Sequence, residues 1–595
     1  MYPSVYYVDK TSGTIGDVLL AYGVTEWLSG LLPEGRGIEI RLSDRGGAFE
    51  IRLEGLDGIP EEWVTTAPQP GLLKYLGTPK TIEKCPPGIP LVDYQAEREQ
   101  QAHYWEAFRQ LSPEDRRRAD KVLREQGIKR PHPDLPVWIL INTQKAISSY
   151  NKLVVTWYEH RDVYPRLAGL MLRLFGAFPN PVEVIVEEWA ALVQEAGLAI
   201  SGQETAVQIL NPQLAKGVNR PKAQKLLEQN LKSFWLLEFL RYVGLYRAGI
   251  PIMVQGSSDR KTYVPLPHEM IWSSTDRILR DYRAAMRANT AIKSDILAVL
   301  RYMNVYLTDW RDAQQDSEPL FAWAISQPGN HASGIAAVFY KDMGSAHAVL
   351  DMSVLKLPRW MPDPRDVADA EEYLALLREH QIIIASLEEA RSDENTLLRT
   401  YRRFLTTGDL RVFFDFCAGL GALAMSLLNS NDARERRRAR LFSLTTIERM
   451  IAMREDLPYY EIFQNAGFQR MAAAIRHATF YPQWNKSKRR ETEYDPEYGL
   501  GQKLRQQAPY PDKFLAELAA FVHRYQAETL RKMEHPLVSA KGQARRPTLS
   551  EEDLADIAAL VDQYGSEVVC ELLVAAGYSW PRRYEAESEE ASAEG

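Results

Sequence analysis

From Val367 onward the chain offers one amphipathic helix after another, and this run limits the fold more than any other feature. TLLRTYRRFL, DLRVFFDFCAGLGALAMSLL, SLTTIERMIAMRE, FQRMAAAIRHATFY and DKFLAELAAFVHRYQAETLRKM follow one another with short breaks. Apolar residues at three- and four-residue spacing give each an apolar stripe that a neighbouring helix must cover, so the run predicts a helical bundle. TLSEEDLADIAALVDQYG closes the set, with Thr548 and Glu551 reading as a capping box and Gly565 as the stop. The final YEAESEEASAEG is acidic and short of apolar residues, which predicts disorder over residues 581–595.

Ahead of the bundle, PRWMPDPRD (Pro358 to Asp366) marks the domain boundary. The preceding half mixes strands and helices. Thr14 to Leu32 reads as a helix, and IEIRLSDRGGAFEIRLEG as a hairpin turning at Gly46-Gly47. A Pro-rich passage between Pro68 and Pro90 reads as a linker or irregular crossing. PVWILIN (Pro136 to Asn142) is predicted to be a short buried strand leading into a helix. NLKSFWLLEFLRYVGLYRAG reads as a long helix stopped by Gly249, and IPIMVQGSSDRKTYVPLP as two strands around Gly256-Ser257-Ser258. The expected class is α+β and predominantly helical overall. An irregular mixed α/β domain over residues 1–360 precedes a helical bundle over residues 361–580.

The composition is that of a globular protein, with 45% hydrophobic and 25% charged residues among 595. The net charge of −7 means that any contact with a polyanion must come from local patches. Cys85, Cys417 and Cys570 are far apart and form no CxxC, which argues against a zinc ribbon or a disulfide framework and fits a reducing compartment. No apolar run is read as reaching the length of a membrane span, and MYPSVYYVDK lacks the features of a signal peptide. A cytoplasmic protein without membrane contact is expected.

Familiar catalytic patterns are missing. There is no Gly-Lys pair for a phosphate-binding loop, no GxSxG elbow and no adjacent His-Asp pair, and HEMIW at His268 lacks a second histidine. Gly419-Leu-Gly421-Ala-Leu-Ala424 fits GxGxxA, but its helical surroundings favour glycines that let helices approach closely. No catalytic constellation, metal site or cofactor is predicted.

Three basic clusters remain. LAKGVNRPKAQK places Lys216, Arg220, Lys222 and Lys225 around Gly217, Asn219 and Pro221, a combination of cations and free backbone N–H groups that suits phosphates. ARERRRARL holds Arg434, Arg436, Arg437, Arg438 and Arg440 between two helices. FQRMAAAIRHATFYPQWNKSKRR carries six Arg and Lys residues and no acid. In it Phe468, Met471, Ala472, Ile475 and Thr479 share one helical face, Arg470 and His477 point away, and Pro482 is expected to end the helix. Two readings stand: solvated helix ends complementing the macrodipole, or a groove that tracks a nucleic-acid backbone with aromatic stacking platforms.

The order of these segments resembles the large subunit of type I CRISPR–Cas effector complexes (Cascade). The likeness runs through LAKGVNRPKAQKLLEQNLKSFWLLEFLRYVGLYRAGIPIMV, SSDRKTYVPLP, FQRMAAAIRHATFYPQWNKSKRRETEYDPEYGLGQKLRQQA and EVVCELLVAAGY. It covers most of the chain, but diffusely, without a catalytic signature. The resemblance implies a non-catalytic subunit with an irregular α/β domain and a helical bundle. It would contact guide RNA, take part in reading a PAM on target duplex DNA and hold the displaced single strand. Its partners would be the other Cascade subunits and a recruited helicase-nuclease.

By position, the resemblance makes Lys216, Asn219, Arg220, Lys222, Arg260 and Lys261 nucleic-acid contacts of the first domain. Asn142, Lys145, Asn151 and Lys152 are weaker candidates. Asn219 is either a reader of a base edge or a cap or turn residue. Arg437, Arg476, Lys486, Lys488, Arg489 and Arg490 would line the bundle surface facing displaced DNA, with Trp484 as a stacking platform. A helical protein–protein adaptor and an enzyme with a non-contiguous site, such as a nuclease, are the competing readings.

Overall fold

The computed structural model describes residues 1–33, 37–112, 114–212, 232–286, 288–316, 331–344, 347–358, 360–488, 494–534 and 546–581. Within them the chain is mixed α+β and predominantly helical, as its segments predict. It divides into two compact units: Met1–Ala291 with Val305–Leu355, and Ile292–Asn304 with the chain from Lys356.

The first unit holds two four-stranded sheets. One runs Val5–Asp9, Ala48–Glu54, Glu39–Asp44, Glu269–Ile271, and includes the predicted hairpin, with Arg41 opposite Arg52. The other runs His347–Leu355, Ala332–Asp342, Arg260–Pro267, Ile250–Met253, all antiparallel. Its last two strands are the predicted pair around Gly256, with Met253 opposite Arg260 at the turn end.

The helix predicted over Thr14 to Leu32 is Ile15–Leu31, capped by the Thr14 hydroxyl, and it packs along helix Trp235–Ala248. Glycines set the closeness of this crossing. A Cβ on Gly23 would lie 1.9 Å from the Leu240 carbonyl oxygen, and one on Gly244 would lie 1.8 Å from that of Leu19. Residues 232–234, expected to belong to the second helix, form a short strand ahead of it.

The segment predicted as a strand at Pro136 is a helix, Leu135–Thr143. An apolar run of this length carries no period that separates a buried strand from a buried helix. Pro136 sits in its first turn, where the missing N–H is not needed. The Pro-rich passage contributes Tyr75–Gly77 and Leu91–Asp93, paired in parallel.

The second unit is helical throughout its described residues from Val367 on. His380, Trp360, Tyr401, Phe404, Phe413 and Phe442 stack in its centre. Helix Leu410–Leu428 contains Gly421, where a Cβ would meet the Tyr578 ring at 2.3 Å, so the GxGxxA match is a close-packing device. This helix is long and apolar enough to cross a membrane, which overturns the expectation that no segment is. In the bundle 67% of its apolar window is buried against its own unit.

Two further corrections concern helix ends. The cap near residue 548 is formed by Ser550 with Asp553, because Ser550 is the residue whose backbone is extended just before the first turn. Pro482 does not end a helix. The chain breaks at Thr479, after Ala466–Ala478, and Pro482 lies in the first turn of the next helix, Phe480–Ser487. The arginine run, expected between helices, forms a short helix of its own, Ala433–Arg438.

Candidate nucleic-acid interface

The predicted faces fold as their spacing requires. Phe468, Met471, Ala472, Ile475 and Thr479 are all buried in the second unit. The cations divide by what each one meets. Arg476, expected on the surface, is 3% exposed and donates from Nη2 to the Ala576 carbonyl oxygen at 2.9 Å. It ties two helices together and does not face a ligand. Arg470 pairs with Asp553 at 2.6 Å, and the His477 ring stacks on Tyr481.

The arginine run splits in the same way. Arg438 is held by Glu388, Glu394 and Glu435, and Arg436 donates to the carbonyls of Ser430 and Asn431. Arg437 is exposed and has no ion pair among the described residues. In Phe480–Ser487, Trp484 is half-buried edge-on against Trp580, and the Lys488 ammonium lies 5.8 Å from its ring centre. Lys486 pairs with Asp495 at 3.2 Å. The Lys216–Lys225 loop with Asn219, Arg220 and Lys222, together with Arg489, Arg490 and the tail from residue 582, lies outside the described residues.

In the first unit Lys261 donates to the Ala291 carbonyl oxygen at 2.9 Å and covers the Phe339 ring. Asn151 is buried and bonds both the N–H and the C=O of Leu76, which makes it a structural residue. Lys152 is paired with Glu204, and Lys145 donates to the Gly344 carbonyl.

Arg260 and Asn142 are different. They lie on one open cleft of about 880 Å³ within the first unit, which no single segment of the sequence announces. One wall is helix Tyr94–Gln110, which contributes Tyr94, Arg98, Gln101 and Trp105 at spacings of four, three and four, one face of a helix. The second wall is Leu135–Thr143, with Asn142 donating to the Tyr94 hydroxyl at 3.1 Å. The floor is the edge strand Ile250–Met253 with its partner residue Arg260, and Asn289 closes the rim.

Half-buried Arg283 braces these walls from behind. It pairs with Asp134, at the start of the second wall, at 2.8 Å, and donates to the Gly249 carbonyl at the head of the floor strand.

The electrostatics of the cleft are one-sided. Among the described residues lining it there are two arginines and neither Asp nor Glu. Arg260 is 6% exposed, its Nη1 donates only to the carbonyls of Ser258 and Asp259, and its Nε is buried without a partner. Burial pulls its pKa below the usual arginine value, opposed by Asp342, while the charge of Arg98 adds to the depression. The nearby acids are engaged by other donors: Asp259 by Lys341 and the Asp342 N–H, and Asp342 by the Gly344 N–H, with the His347 ring at 3.7 Å. Arg98 is exposed and has no ion pair among the described residues. Two guanidiniums without an ion pair among the described residues are suited to an anion.

The aromatic side of the cleft is Trp105, which is 37% exposed and held edge-on by Tyr104 and Phe108. Across the floor, Met253 is largely exposed.

Among the described residues no three His, Cys, Asp or Glu side chains converge as metal ligands. Neither known protein-family models nor characterised proteins yield a match to this chain.

Proposed function

We propose that the chain is a non-catalytic, nucleic-acid-binding subunit, of the kind that serves as the large subunit of a type I CRISPR RNA-guided complex. The carrying observation is the acid-free cleft, where Arg98 and the buried Arg260 stand beside Trp105 in a chain whose net charge is −7. A phosphate backbone responds to such a local field more than to the overall charge. Exposed Arg437 and Lys488 on the second unit supply further cations for a strand. The CRISPR assignment itself comes from the order of segments described above.

The test has two parts. Full-length protein titrated with single-stranded DNA, RNA and duplex over a salt series is expected to bind with log K falling linearly in log salt. Co-expression with a repeat-derived guide RNA and candidate partner subunits is expected to place the chain in an RNA-containing assembly. Absence of nucleic-acid binding, or metal-dependent cleavage abolished by a point substitution in this chain, overturns the proposal.

A further inference from the structure

We infer that the cleft between helices Tyr94–Gln110 and Leu135–Thr143 takes a single nucleotide unit, with its phosphate on Arg98 and Arg260 and its base against Trp105. This deepens the nucleic-acid reading and rests on it for the source of the ligand.

Three independent features of the cleft point to this chemistry. Arg260 keeps an unpartnered Nε while 6% exposed, a donor the fold has desolvated without satisfying. The side chain lines the cleft, held by backbone carbonyls and by no carboxylate ion pair among the described residues, and a phosphate oxygen supplies the negative charge that matches it. Arg98 lines the same space with no ion pair among the described residues, so two cations line a cleft whose described lining offers no acid. Trp105 lies two helical turns beyond Arg98 on the same face, about 10 Å along the axis at 1.5 Å per residue. A cation and an aromatic ring thus share one face, as a phosphate and a base require.

The remaining polar lining consists mainly of neutral groups. Gln101 offers its amide to a base edge or a sugar, while the amide N–H groups of Gln95, Asn289 and Asn142 are donated to Glu99, Gln255 and Tyr94 and leave their carbonyl oxygens to the ligand. A cleft of about 880 Å³ is of the size that holds a small-molecule ligand and is too small to enclose a duplex. The unit is therefore a free nucleotide or one residue of a single strand.

The experiment uses full-length protein with Arg98→Ala and Trp105→Ala variants. Both residues are solvent-accessible, and unchanged thermal melts show that the fold is retained. The probes are adenosine monophosphate, inorganic phosphate, a short mixed-sequence single-stranded oligonucleotide and the same oligonucleotide with abasic sites. The expected result is a loss of roughly ten-fold or more in oligonucleotide affinity for each variant. The abasic strand is expected to stay sensitive to Arg98→Ala and become insensitive to Trp105→Ala. Phosphate alone is expected to bind more weakly than the nucleotide.

If the oligonucleotide binds and neither substitution changes its affinity, the cleft assignment is overturned while the nucleic-acid reading stands. If adenosine monophosphate binds through Arg98 and Trp105 and no strand binds, the cleft assignment stands with a free nucleotide as ligand, and the subunit reading falls. Binding of neither overturns both.

Discussion

Arg476 donates a hydrogen bond to the carbonyl oxygen of Ala576, one hundred residues further along the chain, inside the helical unit. The acceptor lies in the last turn of helix Ser566–Gly577, where carbonyls lack helical partners and the dipole is negative. The Ser579 hydroxyl lies 3.4 Å from the same Nη2. The same carbonyl also accepts from the Ser579 hydroxyl at 2.6 Å, so a charged donor and a hydroxyl together close this buried helix end.

Arg476→Ala is therefore expected to destabilise the protein by about 2 kcal/mol, the usual size of a buried charge-assisted bond. The binding of nucleic acid by the folded protein is expected to stay unchanged. Chemical denaturation read alongside a binding titration separates the two effects. A variant of native stability with weakened binding would return Arg476 to the interface.

The same arginine shows where sequence reading runs out. The spacing of Phe468, Met471, Ala472 and Ile475 is legible because a helix buries one stripe whatever it packs against. The position of Arg476 beside that stripe is not, because its burial depends on a carbonyl supplied by a distant helix. The cleft has a local signal in Tyr94, Arg98, Gln101 and Trp105 on one helical face. Its meaning comes only when the fold brings in Asn142, Arg260 and Asn289 from three other segments. The Leu135–Thr143 helix reads as a strand because its apolar run is buried almost all round and has no period to read.

Gly23 and Gly244 form a reciprocal contact in which each faces a carbonyl of the opposite helix. An added methyl would overlap backbone, which cannot swing aside as a side chain can. Gly23→Ala and Gly244→Ala are each expected to lower stability by about 3 kcal/mol, at the upper end for overpacking. The double variant is expected to lose less than the sum, since separating the two helices once relieves both clashes. Urea melts of the three variants check this, and wild-type midpoints would show that the crossing is looser than the structure has it.

His380 is enclosed by Trp360, Phe413 and Phe442, with its Nδ1 2.6 Å from the Tyr401 hydroxyl. Burial pushes its pKa down to about 3. The unfolded chain therefore takes up this proton first as pH falls, near the ordinary histidine value of about 6.5. The contribution of His380 to stability is complete above that pH and is lost progressively as pH drops toward 3. The slope is about 1.4 kcal/mol per pH unit within that window. Following the denaturation midpoint from pH 7 downward tests this, and NMR of the imidazole gives the assignment. A ring already protonated at pH 5 in the folded protein would contradict it.

The last prediction concerns the cations that end helix Phe480–Ser487 and the segment after it. Lys486 and Lys488 are exposed, and the one ion pair of Lys486 among the described residues is to Asp495, itself almost fully exposed. Exposed pairs of this kind contribute little to folding. Replacing Lys486, Lys488, Arg489 and Arg490 with Ser is therefore expected to leave the thermal midpoint nearly unchanged. If these residues track a displaced strand, the same variant binds single-stranded DNA more weakly, and its log–log salt dependence flattens by about 0.7 for each phosphate that is no longer neutralised. Trp484 requires a separate variant, because its ring packs on Trp580 as well as under Lys488. Trp484→Ala is expected to lose stability through that packing, so Trp484→Phe is the cleaner probe of stacking. A stable quadruple variant with the wild-type salt slope would remove this helix end from the interface.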